Sequence, residues 1–397
     1  MGALSMRLGL GLCLAMVSHL AVAQSLRGSL ETGTEVFTQA PAFTSQSDAA
    51  VQPYVKLRLQ GAAELGPETE LVLNSRAVAT IFADQKIFGD ASEAFLEHRM
   101  ERYSIRAGML DERWGFLDAK NPANIFNALD IVEDYQGDVR LGQPGAAFRF
   151  VGDSLGFTLL ASPMAREQRT PDGRDRLRLT SLPLRNARFE NGRWTPSVAA
   201  RVNLNLENLE LAVSHFHGTS REAEFRFDPD AEGPALRPYY RRIDQSALEA
   251  QYVLGDYVLR GELIRRQGQT GRSFFGLGVG LERIFYGAFG GTEDLQVYAE
   301  AYYDDRPNTA PVTAFQRDIS VGGRLIMNNE GSTEFAARST VDLEGGGSIL
   351  EFGAAHRVWS DYVLGFNATV PLGGRSDPAL AAYRRDTRLR FALTRYF

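Results

Sequence analysis

The rhythm of its connections limits most what this chain can fold into. From residue 25 onward, segments recur in which apolar and polar residues alternate with a period of two, the mark of strands with unlike faces. Val297, Ala299, Ala301 and Tyr303 share one side of such a segment, and Gln296, Tyr298, Glu300 and Tyr302 the other. Val198, Ala200, Val202, Leu204 and Leu206 oppose Arg201, Asn203 and Asn205 in the same way. Eighteen segments can be drawn, near 25–36, 52–64, 69–82, 92–100, 103–111, 143–151, 154–162, 196–206, 208–217, 243–254, 256–267, 273–285, 293–304, 316–327, 332–343, 348–358, 361–370 and 386–397. The even-numbered connections are mostly tight, as at Gly152-Asp153, Gly255-Asp256 and Ser360-Asp361. The odd-numbered ones hold every long loop: 37–51, 112–142, 163–195, 218–242, 305–315 and 371–385. A soluble sandwich has no reason to keep that alternation, and its apolar faces need a second sheet. A barrel in a bacterial outer membrane does keep it, with short periplasmic turns and long extracellular loops. The expected fold is all-β: a transmembrane antiparallel barrel of about 18 strands, 16 being the other possible count, with both ends on the periplasmic side.

Composition agrees where it bears on this reading. The 397 residues are 44% hydrophobic and 23% charged, which argues against disorder. After the first 23 residues no window of about 18 apolar residues occurs, so membrane-spanning helices are excluded. A barrel is not, because its lumen face is polar. Aromatic pairs flank the tight turns: Tyr252 with Tyr257, Trp359 with Tyr362, Phe150 with Phe157. Amphipathic rings belong at a membrane interface, so these predict a periplasmic girdle.

Residues 1–23 read as an export signal, with Arg7, an apolar core from Leu8 to Val17 and the cleavage pattern Ala21-Val22-Ala23. Residues 24–397 are then a single barrel. Cys13 lies within the signal, so the remaining chain has no cysteine to cross-link. Without Arg7 the chain carries 42 basic and 49 acidic residues, net −7, which argues against a nucleic-acid partner. The barrel begins directly at Ser25, with no globular plug ahead of it.

The candidate site is the third extracellular connection, 112–142. Asn121-Pro122 predicts the start of a short helix, with Ile125, Phe126, Leu129 and Val132 at helical spacing. A loop in water has little use for that apolar face, whereas one folded into the lumen does. The loop carries Glu112, Asp118, Asp130, Glu133, Asp134 and Asp138. By parity the lumen face carries Lys56, Arg58, Arg76, Arg99, Arg106, Arg201, Arg260, Arg324, Arg338, Arg388 and Arg390. Glu97, Glu210, Glu249, Glu262, Glu282, Glu300, Asp318, Glu334, Asp342 and Glu351 share that face. The expected constriction sets Asp118, Asp130, Glu133 and Asp134 against Arg58, Arg76 and Arg106, on the strands near the loop's root. Such opposed rows act as a transverse field on passing ions, or as mutual ion pairs that brace the barrel. Both readings stand at this stage.

Loop 163–195 holds eight arginines and four acids, fit for lipopolysaccharide phosphates, for anionic solutes or for plain solvation. Asp228, Asp230 and Glu232 match no calcium-loop spacing, and no metal or cofactor is expected. Ser214 and Ser220 flank His215 and His217, but Ser and His within one strand do not make a triad, so no enzyme is expected.

Trp114-Gly115, Asn121-Pro122, Asn127 to Asp130, Glu133-Asp134 and Leu141-Gly142-Gln143-Pro144 resemble a stretch of porin-like barrels of Gram-negative bacteria. They are more distantly similar to alginate-export barrels and to substrate-selective 18-stranded porins. The resemblance covers about 30 residues. It implies a passive outer-membrane channel for ions or small polar solutes, or alternatively an export channel for an anionic, alginate-like polysaccharide. The end of the chain, with Leu389, Phe391, Leu393 and Phe397 on one face, resembles the terminal strand presented to the barrel-assembly machinery. Arg395 departs from that pattern. The implied partners are that machinery, through Phe397, and outer-membrane lipid with lipopolysaccharide.

Overall fold

The structure is a computed structural model that describes residues 25–134, 139–313, 316–374 and 378–397. The predicted export signal and Asp138 lie outside the described residues. In chain order the strands are β1 (Ser25–Phe37), β2 (Val51–Gly66), β3 (Thr69–Thr80), β4 (Ile87–Met100), β5 (Tyr103–Leu110), β6 (Gln143–Val151), β7 (Leu155–Ser162), β8 (Arg188–Phe189), β9 (Ser197–Leu206), β10 (Leu209–Thr219) and β11 (Glu224–Phe227). They continue as β12 (Leu236–Tyr240), β13 (Arg242–Leu254), β14 (Tyr257–Gln267), β15 (Phe274–Phe285), β16 (Asp294–Asp304), β17 (Arg317–Ile326), β18 (Glu334–Asp342), β19 (Gly347–Trp359), β20 (Tyr362–Gly373) and β21 (Arg388–Tyr396).

Eighteen of them form one antiparallel sheet in which each strand pairs with the next, and β21 pairs back onto β1, with Tyr396 opposite Ser29. The sheet is a closed barrel, and the count of 16 is excluded. The predicted segments match these strands to within three residues at each end, except that β4 begins five residues earlier, at Ile87. β8, β11 and β12 form a separate three-stranded sheet within the long loops, which periodicity missed because its strands are two to five residues long.

The two faces sort as the alternation requires. Leu248, Leu263 and Val279 are exposed on the outer wall, whereas Glu249, Glu262 and Glu282, on the opposite parity, are buried inside. A one-residue slip would exchange the faces and put carboxylates into lipid, so the pattern fixes the register. At the periplasmic end Trp359 meets Tyr362 edge-on at 5.5 Å, and Tyr103 lies 5.2 Å from Phe150. Gly255 supplies the positive φ of its tight turn, at 59°. The seam closes on Phe397: its C=O accepts from Gly28 N–H at 2.8 Å, and its N–H donates to Gly28 C=O at 3.0 Å. A Cβ at Gly28 would stand 2.3 Å from the Phe397 ring, which lies over the glycine.

The apolar core lies inside the barrel, off its axis. Phe95, Leu110, Ala147, Leu160, Ala199, Phe216 and Ile243 line one side of the lumen and pack on Trp114, Ile125 and Phe126 of the loop 112–142.

Candidate functional site in the barrel lumen

The loop 112–142 leaves the extracellular end of β5 and crosses to the opposite wall. Six of its backbone N–H groups end on three lumen carboxylates. Gly115 donates to Glu249 on β13 at 2.9 Å. Phe116, Leu117 and Ala123 donate to Glu262 on β14, at 2.7, 3.0 and 3.1 Å. Asp118 and Ala119 donate to Glu300 on β16, at 2.7 and 2.8 Å. Lys120 N–H continues the row onto the Tyr302 hydroxyl at 3.0 Å. These carboxyl oxygens satisfy an irregular backbone that has no ladder of its own.

The wall is shaped for this crossing. Gly276, Gly278 and Gly280 fall on the lumen face of β15. A Cβ at Gly278 would lie 2.4 Å from the Leu117 side chain, and one at Gly280 3.0 Å from it. The missing side chains form the slot that Leu117 fills beside Tyr302 and Ala119. Where the loop returns, buried Asn127 ties its two limbs. Its amide donates to the Leu110 and Leu141 carbonyls at 2.7 and 2.8 Å and accepts from Glu112 N–H at 2.9 Å.

The helix predicted from Asn121 does not form. Residues 121–134 are turns and isolated bridges, with Leu129 opposite Arg140 and Asp130 opposite Arg169. The segment's backbone groups bond to the wall and to neighbouring loop segments, which replaces the i to i−4 pattern. Ile125 and Phe126 are buried as expected, but by the fold of the loop.

The predicted charges meet in part. Asp130, wholly buried, accepts from Arg76 at 2.7 Å and from Arg169 at 3.3 Å. Burial raises its pKa, against the pull of Arg169 and Arg76. Glu133 pairs with Lys56 on β2. Burial would raise its carboxyl too, but Lys56, with Arg390 and Arg76, outweighs burial and holds it at about 2.

Three expectations need correction. Asp118 faces none of the three arginines and pairs with Arg260 across the lumen; its pKa is raised by burial, with Arg260 opposing. Arg106 bonds Glu97 on the neighbouring strand at 2.8 Å, because that carboxylate is its cross-strand partner and the loop is farther away. Arg58 is exposed in the lumen and makes no ion pair with the described residues. Asp134 is partly buried where the described stretch ends. Elsewhere the lumen charges brace the wall: Arg201 with Glu249 and Arg260 with Glu282, both at 2.8 Å, and Arg390 with Glu35 at 2.6 Å.

Two more loops turn inward. Of the arginines that the basic stretch 163–195 was expected to offer outside, Arg174, Arg185, Arg188 and Arg193 are exposed. Others turn inward: Arg166 bonds Asp90 at 2.7 Å, Arg169 bonds Asp130, and buried Arg176 bonds Asp386 at 2.7 Å. From the loop 218–242, Arg221 is fully buried, and its Nε donates to the Phe126 carbonyl at 2.8 Å. Burial, reinforced by Arg242, lowers its pKa to about 10. Beside it Glu222 accepts from Arg266 at 2.6 Å and meets Arg306 at 3.5 Å. Against burial, those two guanidinium groups keep its carboxyl below the usual range. Sequence reasoning passed over Arg221 and Glu222; an adjacent opposite-charge pair at the start of a long loop was the available signal. Asp228 accepts from Arg237 at 2.8 Å.

No family model matches the sequence, and no curated protein does either. Solved structures match in fold. Wzi of Escherichia coli, described as a carbohydrate-binding β-barrel of the outer membrane involved in Group 1 capsule assembly, superposes with a TM-score of 0.53 at 12% identity, over 96% of this chain and 86% of its own. A BenF-like porin from Pseudomonas fluorescens Pf-5 gives 0.55 at 8% identity, over 95% and 99%. Pseudomonas aeruginosa OccK3 (OpdO) gives 0.53 at 10% identity, over 95% and 96%. The fold is that of an outer-membrane porin-like barrel. A porin-like barrel of 18 strands with an apolar outer wall resides in the outer membrane.

Proposed function

We propose that the chain is a passive outer-membrane channel for ions or small polar solutes, with the loop 112–142 as its constriction. One observation carries this reading: the six N–H groups held by Glu249, Glu262 and Glu300 fix the loop across the lumen. Charged side chains line the rest of the lumen wall, and charged walls hold water and discriminate between ions. Asp118, Asp130, Glu133 and Asp134 form the loop side of the constriction. Arg76 contributes as the direct partner of Asp130, Arg58 as a cation with no ion pair among the described residues, and Arg106 through Glu97. Ohmic single-channel steps in planar bilayers are expected, and a barrel that stays silent at every voltage would overturn the proposal.

A second reading is passage of an anionic polysaccharide. The likeness to a carbohydrate-binding barrel favours it, together with the guanidinium of Arg58, exposed in the lumen with no ion pair among the described residues. Block of the current by uronate oligomers would promote this reading, and an unaffected current would remove it. No catalytic role is proposed. Residues 1–23 are assigned to export, and Phe397 to recognition by the assembly machinery.

A further inference from the structure

The pairings that brace the lumen leave one buried cation over. Arg221, at the start of the loop 218–242, is 1% exposed and forms no ion pair among the described residues. Its Nε–H donates to the Phe126 carbonyl at 2.8 Å, but neither terminal nitrogen, Nη1 or Nη2, meets an acceptor among the described residues. The Phe216 ring, 5.6 Å from the guanidinium, offers a face and no counter-charge. Adjacent Glu222 does not serve it. That carboxylate is taken by Arg266 at 2.6 Å and by Arg306 at 3.5 Å, and Arg306 also bonds Asp304 at 2.7 Å. A guanidinium is all donor and keeps its charge, so burying it without acceptors or a counter-charge is costly.

Arg221 lines a cavity of about 40 Å³. The cavity lies between the loop 112–142, the loop 218–242 and the extracellular ends of β14, β15 and β16. Five cationic side chains line it, against the two carboxylates of Glu222 and Asp304. Its charge therefore favours an anion, and its size narrows the choice. A water needs about 10–15 Å³ of such space, so there is room for a monatomic ion with a water beside it, and none for a sugar or a lipid headgroup.

We propose that this cavity is a binding site for a small monovalent anion, chloride, held by the terminal nitrogens of Arg221. The ion accepts the N–H groups that no protein atom meets and supplies the missing counter-charge. One negative charge matches the one unpaired guanidinium, because Glu222 and Asp304 already balance Arg266 and Arg306. The site also joins two loops. Arg221 belongs to the loop 218–242 and holds the Phe126 carbonyl of the loop 112–142, so an occupied site clamps one loop to the other. The inference does not depend on conduction, since binding is read from stability and from the ion itself.

The test is thermal unfolding of the full barrel in detergent, with chloride replacing gluconate at constant ionic strength. A ligand that binds only the folded state raises Tm with its concentration, and a saturable rise of about 2 °C or more is expected for the parent. R221M, which keeps the bulk and removes the charge, should abolish the chloride dependence. R102A, at a periplasmic turn, should keep it in full, which separates the site from a general salt effect. Heat-modifiable mobility confirms that each variant is folded. Crystals of the parent grown in bromide give a second reading that needs no variant: an anomalous peak beside the Arg221 terminal nitrogens is expected. If R221M fails to fold, that peak decides alone. A parent indifferent to chloride, a response that R221M retains, or no bromide at Arg221 would overturn the proposal.

Discussion

The residues that set the constriction act as pairs, and pairs fail when one partner is lost. Asp130 is wholly buried between Arg76 and Arg169, so D130N leaves two guanidinium groups facing a neutral amide. Breaking a buried pair from one side costs about 3–5 kcal/mol, and the urea midpoint of D130N in detergent should fall accordingly. Glu133 adds a pH dependence. Its carboxyl is held at about 2 in the fold, below its ordinary value of 4.5, so its stabilisation is complete above the higher value. It is lost as pH falls through the lower one, and is on the order of 3 kcal/mol. The stability gap between the parent and E133Q should be full at pH 6 and should shrink steadily toward pH 2; a gap independent of pH would contradict the assignment. The triple variant D130N, E133Q, D134N leaves Lys56, Arg76 and Arg169 uncompensated, so reversal potentials in a salt gradient should move toward anion preference. At this scale parity was informative: it placed Arg76, Lys56 and Arg106 on the lumen face. It gives a face, not a distance across the lumen, so the partners of Asp118 and Arg106 were misassigned.

The element that matters most is the loop 112–142, and its anchors lie on other strands. Glu262 alone receives three N–H groups, each buried hydrogen bond contributing about 0.5–1.5 kcal/mol. E262A should therefore free the segment 115–123. Hydrogen exchange there should rise by orders of magnitude while the strands stay protected, and unchanged exchange would show that the anchors are dispensable. G278V should also dislodge the loop, because a side chain at that position collides with Leu117. The inward fold of the loop was readable from its apolar content. Its conformation was not, because helical spacing of Ile125, Phe126, Leu129 and Val132 appears equally in a chain whose backbone bonds elsewhere. The glycines at 276, 278 and 280 were the unread sign: three small residues on one strand face leave space for something.

For the whole molecule, the alternation of short and long connections carried the strand count, the closure and the membrane. Each follows from local chemistry repeated eighteen times, which is why it is legible without long-range information. The inward packing of the loops 163–195 and 218–242 is not of that kind. It depends on contacts such as Arg221 with the Phe126 carbonyl and Arg176 with Asp386, between residues 95 and 210 positions apart. The central claim is that the loop 112–142 narrows a conducting lumen. Single-channel recording of the parent beside a chain lacking residues 118–138 tests it most directly. Ohmic steps are predicted in both, with the larger conductance in the deletion; equal conductance in the two folded barrels, or a parent that never conducts, would contradict it.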